Sequence, residues 1–387
     1  MTAENTSEES ANEGLDKPSL SIQGSVDEST VIVGDHNTIY TNVFGAFSSD
    51  QFSARPSLSL SHDEYRWRQV LVQNIKHYWI EGVLEKSLHN QALIELGLEE
   101  REQAIASPIS ASAEFAEDAG RLFPAGTQVT DIFDGLGAGR TLLILGEPGA
   151  GKTTTLLKLT KTLIARIGND LSQPIPVVLN LSSWAKKRKP ITEWLIQSLY
   201  ETFQVSRLSA TTWIEEEQLT LCLDGLDEVA AEHRNDCLQA LNQFLQAHGR
   251  TEVVVCSRIR DYEALSERLR VRCAIYVKPL TVEQIDRYLD QVGEPLAAMK
   301  AILSQNDELK EFASSPLILS VMSLAYQGHL LEQFPPIESL EFFQQQLFDT
   351  YVKRMFQRRG RTHQYSHQQT KFWLIWMAQR MVDNSQT

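Results

Sequence analysis

Cysteine is scarce in this sequence, with four residues among 387. No two cysteines form a C-x-x-C pair, so the sequence argues against a zinc site. Cys222 and Cys256 lie inside apolar, strand-like runs, where a thiol behaves as a small core side chain. Such usage is typical of a protein from a reducing compartment.

Long apolar runs and excess positive charge are also missing. No run approaches the roughly 18 apolar residues that a membrane-spanning helix needs. The N-terminus is acidic and polar, unlike a secretory signal sequence. Asp and Glu total 50 against 36 Lys and Arg, and the net charge of −14 argues against nucleic-acid or anionic-membrane binding. We therefore expect a cytoplasmic protein without a membrane or nucleic-acid partner.

The first 60 residues divide into three segments. Residues 1–20 are polar and acidic, as in disordered tails. Residues 21–44 contain two β-prone runs, "SIQGSVDEST" and "VIVGDHNTIY", which align at a ten-residue offset and predict stacked β-arcs. Residues 45–60 are rich in serine and are predicted to form a linker.

The remaining chain is predicted to contain a helical segment, an α/β domain and a second helical region. Within residues 61–122, apolar side chains recur at helical spacing, and we expect helix over 63–105. Residues 123–280 alternate apolar strands with helices, which predicts a parallel sheet covered on both faces. Residues 281–387 have helical patterns only.

A glycine-rich loop joins the first of these strands to a helix. The stretch "GEPGAGKTT" fits the pattern G-x-x-x-x-G-K-[ST] in the strand–loop–helix context that this motif requires. Its glycines let successive backbone N–H groups face a phosphate, and the helix N-terminus adds positive potential. We expect Lys152 to contact the β- and γ-phosphates and Thr153 to ligate Mg²⁺. The predicted nucleotide-binding residues of this loop are Gly146, Glu147, Pro148, Gly149, Ala150, Gly151, Lys152, Thr153 and Thr154.

Three carboxylates crowd the end of a second apolar strand, in "LTLCLDGLDEVA". In P-loop NTPases the metal is held by the loop hydroxyl and by an acid that ends a second strand. We therefore predict that Asp224 ligates Mg²⁺ together with Thr153. Asp227 or Glu228 would then orient and deprotonate the attacking water, and the sequence leaves open which of the two is the base.

A third strand, "TEVVVCSR", ends in Arg258. An arginine at this position would sense the γ-phosphate and stabilise charge as the phosphoryl group transfers. The alternative interpretation is a surface ion pair without a catalytic role. We assign Arg258 to the catalytic residues with Asp227 and Glu228.

These motifs resemble those of the NACHT family, within the STAND class of P-loop ATPases. The matching stretches are "GEPGAGKTT", "CLDGLDEV", "VVVCSR", "VVLNLSSW", "KPLTVEQIDRYL" and "SSPLILSVMSLAY", and the resemblance covers residues 123–327. It implies a P-loop NTPase sheet of the additional-strand class, followed by a helical subdomain and the start of a winged helix. Residues 61–122, with "WIEGVLEKSL", resemble a segment that precedes NACHT domains in bacterial proteins of cyanobacterial type.

The resemblance also implies roles for residues outside the loop and the acidic cluster. Val129 and Ile132, in "GTQVTDIFDG", would line the nucleotide base. Pro316, in "SSPLIL", would pack near the nucleotide, although a proline at a helix start is common for other reasons. Since the chain stops near the expected winged helix, we expect a truncated product or a fragment.

By this resemblance the protein is an NLR-like switch that binds and slowly hydrolyses ATP with Mg²⁺. The ADP form would be closed, and the ATP form would open and self-associate. The stretch "GSVDESTVIVGDHNTI" looks like amyloid-type signalling motifs, so a matching motif in an effector protein is the expected partner, in an immune-like setting. A disordered tail or isolated hairpin is the alternative for this stretch. For the whole chain, the main alternative is a nucleotide-independent scaffold that acts through this β-prone stretch.

Overall fold

The computed structural model describes residues 62–86, 96–106, 122–124, 126–168, 170–186, 188–334, 339–358 and 365–383. All of them belong to one unit, Ser57–Thr387. The predictions for residues 1–20, 21–44 and 45–60 lie outside the described residues.

One six-stranded sheet forms the centre of the α/β region. Its strands occur in the spatial order β1-β6-β2-β5-β4-β3, and all neighbouring pairs are parallel except β1 with β6. Strand β5 therefore separates β2, which leads into the glycine loop, from β4, which carries the acidic cluster. This is the additional-strand arrangement, and it confirms the predicted fold class. The strands are β1 Leu98–Glu100, β2 Thr141–Gly146, β3 Ile175–Asn180, β4 Leu219–Asp224, β5 Glu252–Arg258 and β6 Cys273–Val277.

Thirteen α-helices are assigned in the described residues, and their amphipathic faces bury the apolar strands. They are α1 His62–Ile75, α2 Val129–Gly135, α3 Lys152–Ile167, α4 Ile191–Phe203, α5 Arg207–Glu215, α6 Ala231–Ala247, α7 Ile259–Glu263, α8 Val282–Val292, α9 Ala297–Gln305, α10 Asp307–Ala313, α11 Pro316–Tyr326, α12 Leu340–Arg358 and α13 His367–Asp383. Helix α3 packs on four strands of the sheet, β2 to β5. A π-helix, Lys76–Leu84, continues α1 and packs against α3.

The prediction of continuous helix over 63–105 is wrong at residues 98–100. These residues form β1, which pairs antiparallel with β6, with Leu98 opposite Val277 and Glu100 opposite Ile275. The backbone N–H and C=O groups on the outer side of an edge strand have no partners in the sheet. Strand β1 supplies hydrogen-bond partners for these groups of β6. Pairing of this kind depends on distant residues, so it overrides the local helical pattern.

Two hydrophobic cores lie within the described residues. The larger surrounds the sheet and includes all four cysteines, which are free and buried. The smaller is built from apolar residues between Leu280 and Leu347 of the C-terminal helices. Among the described helices, none is long and apolar enough to span a membrane.

Candidate functional site

The glycine loop occupies residues 147–151, between the end of β2 and the start of α3. Gly149 and Gly151 have φ values of +74° and +96°, in the left-handed region that favours glycine. A Cβ atom at Gly149 would lie 2.9 Å from Ser315 Oγ and 3.0 Å from Leu317 Cβ. The loop therefore requires glycine here for both its backbone conformation and its close packing.

Lys152 folds over the loop that precedes it. Its Nζ donates hydrogen bonds to the carbonyl oxygens of Gly146 and Glu147, both at 3.0 Å. Burial lowers the pKa of Lys152, and the nearby carboxylates of Asp227 and Asp224 act in the opposite direction. The ammonium group and the acidic cluster therefore share one electrostatic environment.

Thr153 and Asp224 form the direct contact between the loop and the acidic strand end. Thr153 Oγ1 donates to Asp224 Oδ2 at 2.8 Å, although β5 lies between their two strands in the sheet. Parallel strands bring their carboxyl ends to one edge, which explains how residues 71 positions apart meet. Asp224 is 9% exposed.

The environment of Asp224 is unfavourable for its charge. Burial is the main cause that raises its pKa, and repulsion by Glu228 and Asp227 adds to it. The hydrogen bond from Thr153 only partly opposes this shift. A hydroxyl and a carboxylate are hard oxygen donors of the type that Mg²⁺ prefers, and a cation would compensate the buried charge. The donor set at Thr153 and Asp224 therefore fits the predicted metal.

The side chain of Asp227 binds Arg258 with both carboxylate oxygens. Arg258 Nε lies 2.9 Å from Asp227 Oδ2, and the Arg258 backbone N–H donates to Asp227 Oδ1 at 3.0 Å. Arg258 is also the register partner of Gly146, so its backbone lies beside the start of the glycine loop. The structure thus brings Arg258, Asp227 and the start of the loop together and adds a direct ion pair, while the sensing of a phosphate by Arg258 remains a prediction.

Glu228 folds back over the glycine of the same motif. Gly225 has φ +74°, and a Cβ atom there would lie 2.8 Å from Glu228 Cδ. Asn180 Nδ2 donates to Glu228 Oε2 at 2.6 Å. Asn180 ends β3 and is the register partner of Asp224. Sequence reasoning missed Asn180, although a polar residue at the end of the apolar stretch "PVVLN" was an available signal.

The remaining loop residues have different exposures. Ala150 is buried, Pro148 is exposed, and Gly151 and Thr154 are half-buried. The Glu147 carboxylate lies 3.9 Å from Arg260 Nε.

The N-terminus of α11 contacts the glycine loop from the C-terminal helices. The Leu317 N–H donates to the Gly149 carbonyl at 3.3 Å, and Ser315 packs on the same glycine. Pro316 is the first residue of α11 and is buried. Its neighbours thus touch the loop, while contact of Pro316 with a nucleotide remains a prediction.

Val129 and Ile132 lie on α2, which packs against α3. Their side chains are buried in the larger core, at 5% and 8% exposed. Contact of either residue with a nucleotide base remains a prediction.

Comparison with known proteins gave a family match and weak similarity to solved structures. Residues 140–294 match the family model of the NACHT domain. No curated protein matches the sequence. Among solved structures, that of C. elegans PCH-2 is 15% identical, with 57% of this chain and 61% of that chain covered and a TM-score of 0.25. A score this low supports no inference, and the chain spans only about that 61% of the other protein's length.

The family match contains the glycine loop, the acidic cluster and Arg258, whereas Val129, Ile132 and Pro316 lie outside it. The sheet order is that expected for a P-loop NTPase. The fold and the family match together support a NACHT domain at residues 140–294, which is less than half of the chain.

Proposed function

We propose that this protein is a NACHT-type regulatory switch that binds and slowly hydrolyses ATP with Mg²⁺. The observation that carries the proposal is the 2.8 Å hydrogen bond between Thr153 and Asp224, beside the ammonium group of Lys152. It joins the phosphate loop to a carboxylate whose pKa is raised by burial, and a bound cation would stabilise the charged form of that carboxylate.

The loop and the start of α3 supply the phosphate-binding groups. Backbone N–H groups of residues 147 and 149–153 and the positive end of the α3 dipole favour an anion. Lys152 would exchange its two carbonyl acceptors for phosphate oxygens, which are stronger acceptors because they are charged. Thr153 and Asp224 would hold Mg²⁺, which when bound neutralises charge on the β- and γ-phosphates.

For hydrolysis we assign different roles to the two acids that follow Asp224. Asp227 holds Arg258 with both carboxylate oxygens, so we give it the task of orienting that arginine toward the γ-phosphate. Glu228 is then the base that accepts a proton from the attacking water. Asn180 orients the Glu228 carboxylate by donating to one of its oxygens. ATP is favoured over GTP because the sequence has no Asn-Lys-x-Asp motif for reading guanine.

The contact of α11 with Gly149 supports coupling between the nucleotide and the C-terminal helices. We propose that triphosphate binding rearranges this contact and that the ATP form self-associates. Self-association would bring together the β-prone motif of residues 21–44, which would recruit an effector protein in immune-like signalling. The motif lies outside the described residues, so this step rests on its sequence.

Size measurement of the full chain with ATP, with ADP and without nucleotide tests the switch. A larger species with ATP only is the expected result. Calorimetric titration with MgATP runs in parallel, with the Lys152→Ala variant as the binding-deficient control. A wild-type chain that binds no nucleotide would contradict the proposal and favour the scaffold alternative.

A further inference from the structure

An arginine outside the acidic motif holds the turn that contains Asp227 and Glu228. Arg234 Nε donates to the Val229 carbonyl at 2.8 Å, and Nη2 donates to the Asp227 carbonyl at 2.6 Å. These two carbonyl groups lie on either side of Glu228 in the chain. One rigid guanidinium therefore fixes the backbone on both sides of Glu228.

The third donor of Arg234 reaches a different element. Its Nη1 lies 2.6 Å from Asp261 Oδ1, on α7, the helix that directly follows Arg258. The side chains of Arg234 and Asp261 are only 18% and 29% exposed. The guanidinium thus links the turn after β4 to the helix after β5. The Asp227–Arg258 ion pair makes a second link between the same two segments.

The position of Arg234 is not explained by helix propensity. It is the fourth residue of α6, close to the N-terminus, where the helix dipole disfavours a positive charge. A residue that departs from a local rule while making several specific contacts points to a requirement of the site. The contacts made here are all with the acidic turn and α7.

We infer that Arg234 is a positioning residue for hydrolysis. It does not contact the predicted base directly, and it acts by fixing the peptide groups that determine where the Glu228 carboxylate lies. The inference rests on the proposed function, in which Glu228 is the base. Lysine at this position retains the charge but cannot bind both carbonyl groups and Asp261 at once, because it lacks the planar fork.

Steady-state hydrolysis by the full-length Arg234→Lys protein provides the first test. The matched control is Arg268→Lys, since Arg268 also binds main-chain carbonyls, those of Leu265 and Glu263, away from the acidic turn. We expect kcat of Arg234→Lys to fall by about a hundredfold, the loss typical of a misplaced catalytic group, with KM and ATP affinity unchanged. A kcat equal to that of Arg268→Lys would overturn the inference.

Amide hydrogen exchange in the nucleotide-free protein provides a test that does not depend on turnover. The Glu228 and Val229 amides donate to Gly225 and Leu226 within the turn. Their exchange should accelerate in Arg234→Lys and not in Arg268→Lys, and equal rates in both would overturn the inference. Asp261→Asn leaves both hydrogen bonds from Arg234 to the carbonyl groups in place, so its amide exchange should accelerate less than that of Arg234→Lys. This variant replaces Arg234→Lys in the test if Arg234→Lys does not fold. A wild-type chain without turnover would contradict the proposed function, while the exchange data would still decide the role of Arg234.

Discussion

Two clusters of charged residues lie at opposite ends of the same strands, and they are built differently. At the amino end of β2 and β5, Arg140 binds both Glu252 and Asp134, and Arg166 binds both oxygens of Asp134. At the carboxyl end, Asp224 accepts a hydrogen bond from the neutral Thr153 hydroxyl, and it is repelled by the carboxylates of Glu228 and Asp227. The acids of the first cluster are paired with arginines, whereas in the second cluster Arg258 pairs with Asp227, and Asp224 forms no ion pair among the described residues.

The directions of the pKa shifts express this difference. Hydrogen bonding by Arg166 lowers the pKa of Asp134. Burial raises the pKa of Asp224. We infer that the ion-pair network serves stability at one end and that, by the proposed function, a bound ligand completes the site at the other.

The largest expected effect is on nucleotide binding. Lys152→Ala removes a charged donor from the ligand-dependent cluster, and affinity for MgATP should fall about a hundredfold, from roughly 3 kcal/mol of charge-assisted hydrogen bonds. Calorimetry measures this change. The control is Arg166→Lys, in the cluster at the amino end of the strands. An equal loss of MgATP affinity in this variant would contradict the distinction between the two clusters.

The next effect is on turnover. Glu228→Gln keeps the shape of the side chain but cannot accept a proton, so kcat should fall by about 10²- to 10⁴-fold while MgATP still binds. A phosphate-release assay measures kcat. If Glu228→Gln retains turnover and Asp227→Asn does not, the assignment of the base to Glu228 is wrong.

Neutralising one acid in each cluster should change stability in opposite directions. Asp224→Asn removes a charge that burial disfavours, so the nucleotide-free protein should become more stable at pH 7, by about 1 kcal/mol. Asp134→Asn breaks pairs with two arginines and should lower stability by about 1 kcal/mol. Denaturant unfolding measures both, and a loss of stability in both variants would contradict the comparison.

The smallest expected effect is the pH dependence of the stability changes caused by Asp224→Asn and Asp134→Asn. The contribution of Asp134, whose pKa is lowered in the fold, is present above its unfolded pKa and is lost as pH falls through its folded pKa. The pKa of Asp224 is raised, so its unfavourable contribution is present above the folded pKa and disappears as pH falls to the unfolded pKa. As the pH is lowered, the stability difference between Asp224→Asn and the wild-type protein should therefore vanish before the difference for Asp134→Asn does. Unfolding at a series of pH values checks the order, and the reverse order would contradict it.

Local patterns were sufficient to predict the strands β2 to β6 and the phosphate loop, but not β1. The phosphate loop, for example, joins a strand to a helix as the stretch "GEPGAGKTT" predicts. The pairings that define the site were not predictable in the same way. Asn180 meets Glu228 across 48 positions, and Arg258 meets Asp227 across 31. Only the register of the folded sheet brings these side chains together, and the same holds for the pairing of β1 with β6.

The most direct test of the account is the magnesium dependence of ATP binding in two proteins. ATP is titrated into wild-type protein and into Asp224→Asn, once with Mg²⁺ and once with EDTA. We predict that Mg²⁺ strengthens binding to the wild-type protein and that this gain is lost in Asp224→Asn. An equal gain from Mg²⁺ in both proteins would contradict the claim that the buried carboxylate of Asp224 holds the metal beside the phosphate loop.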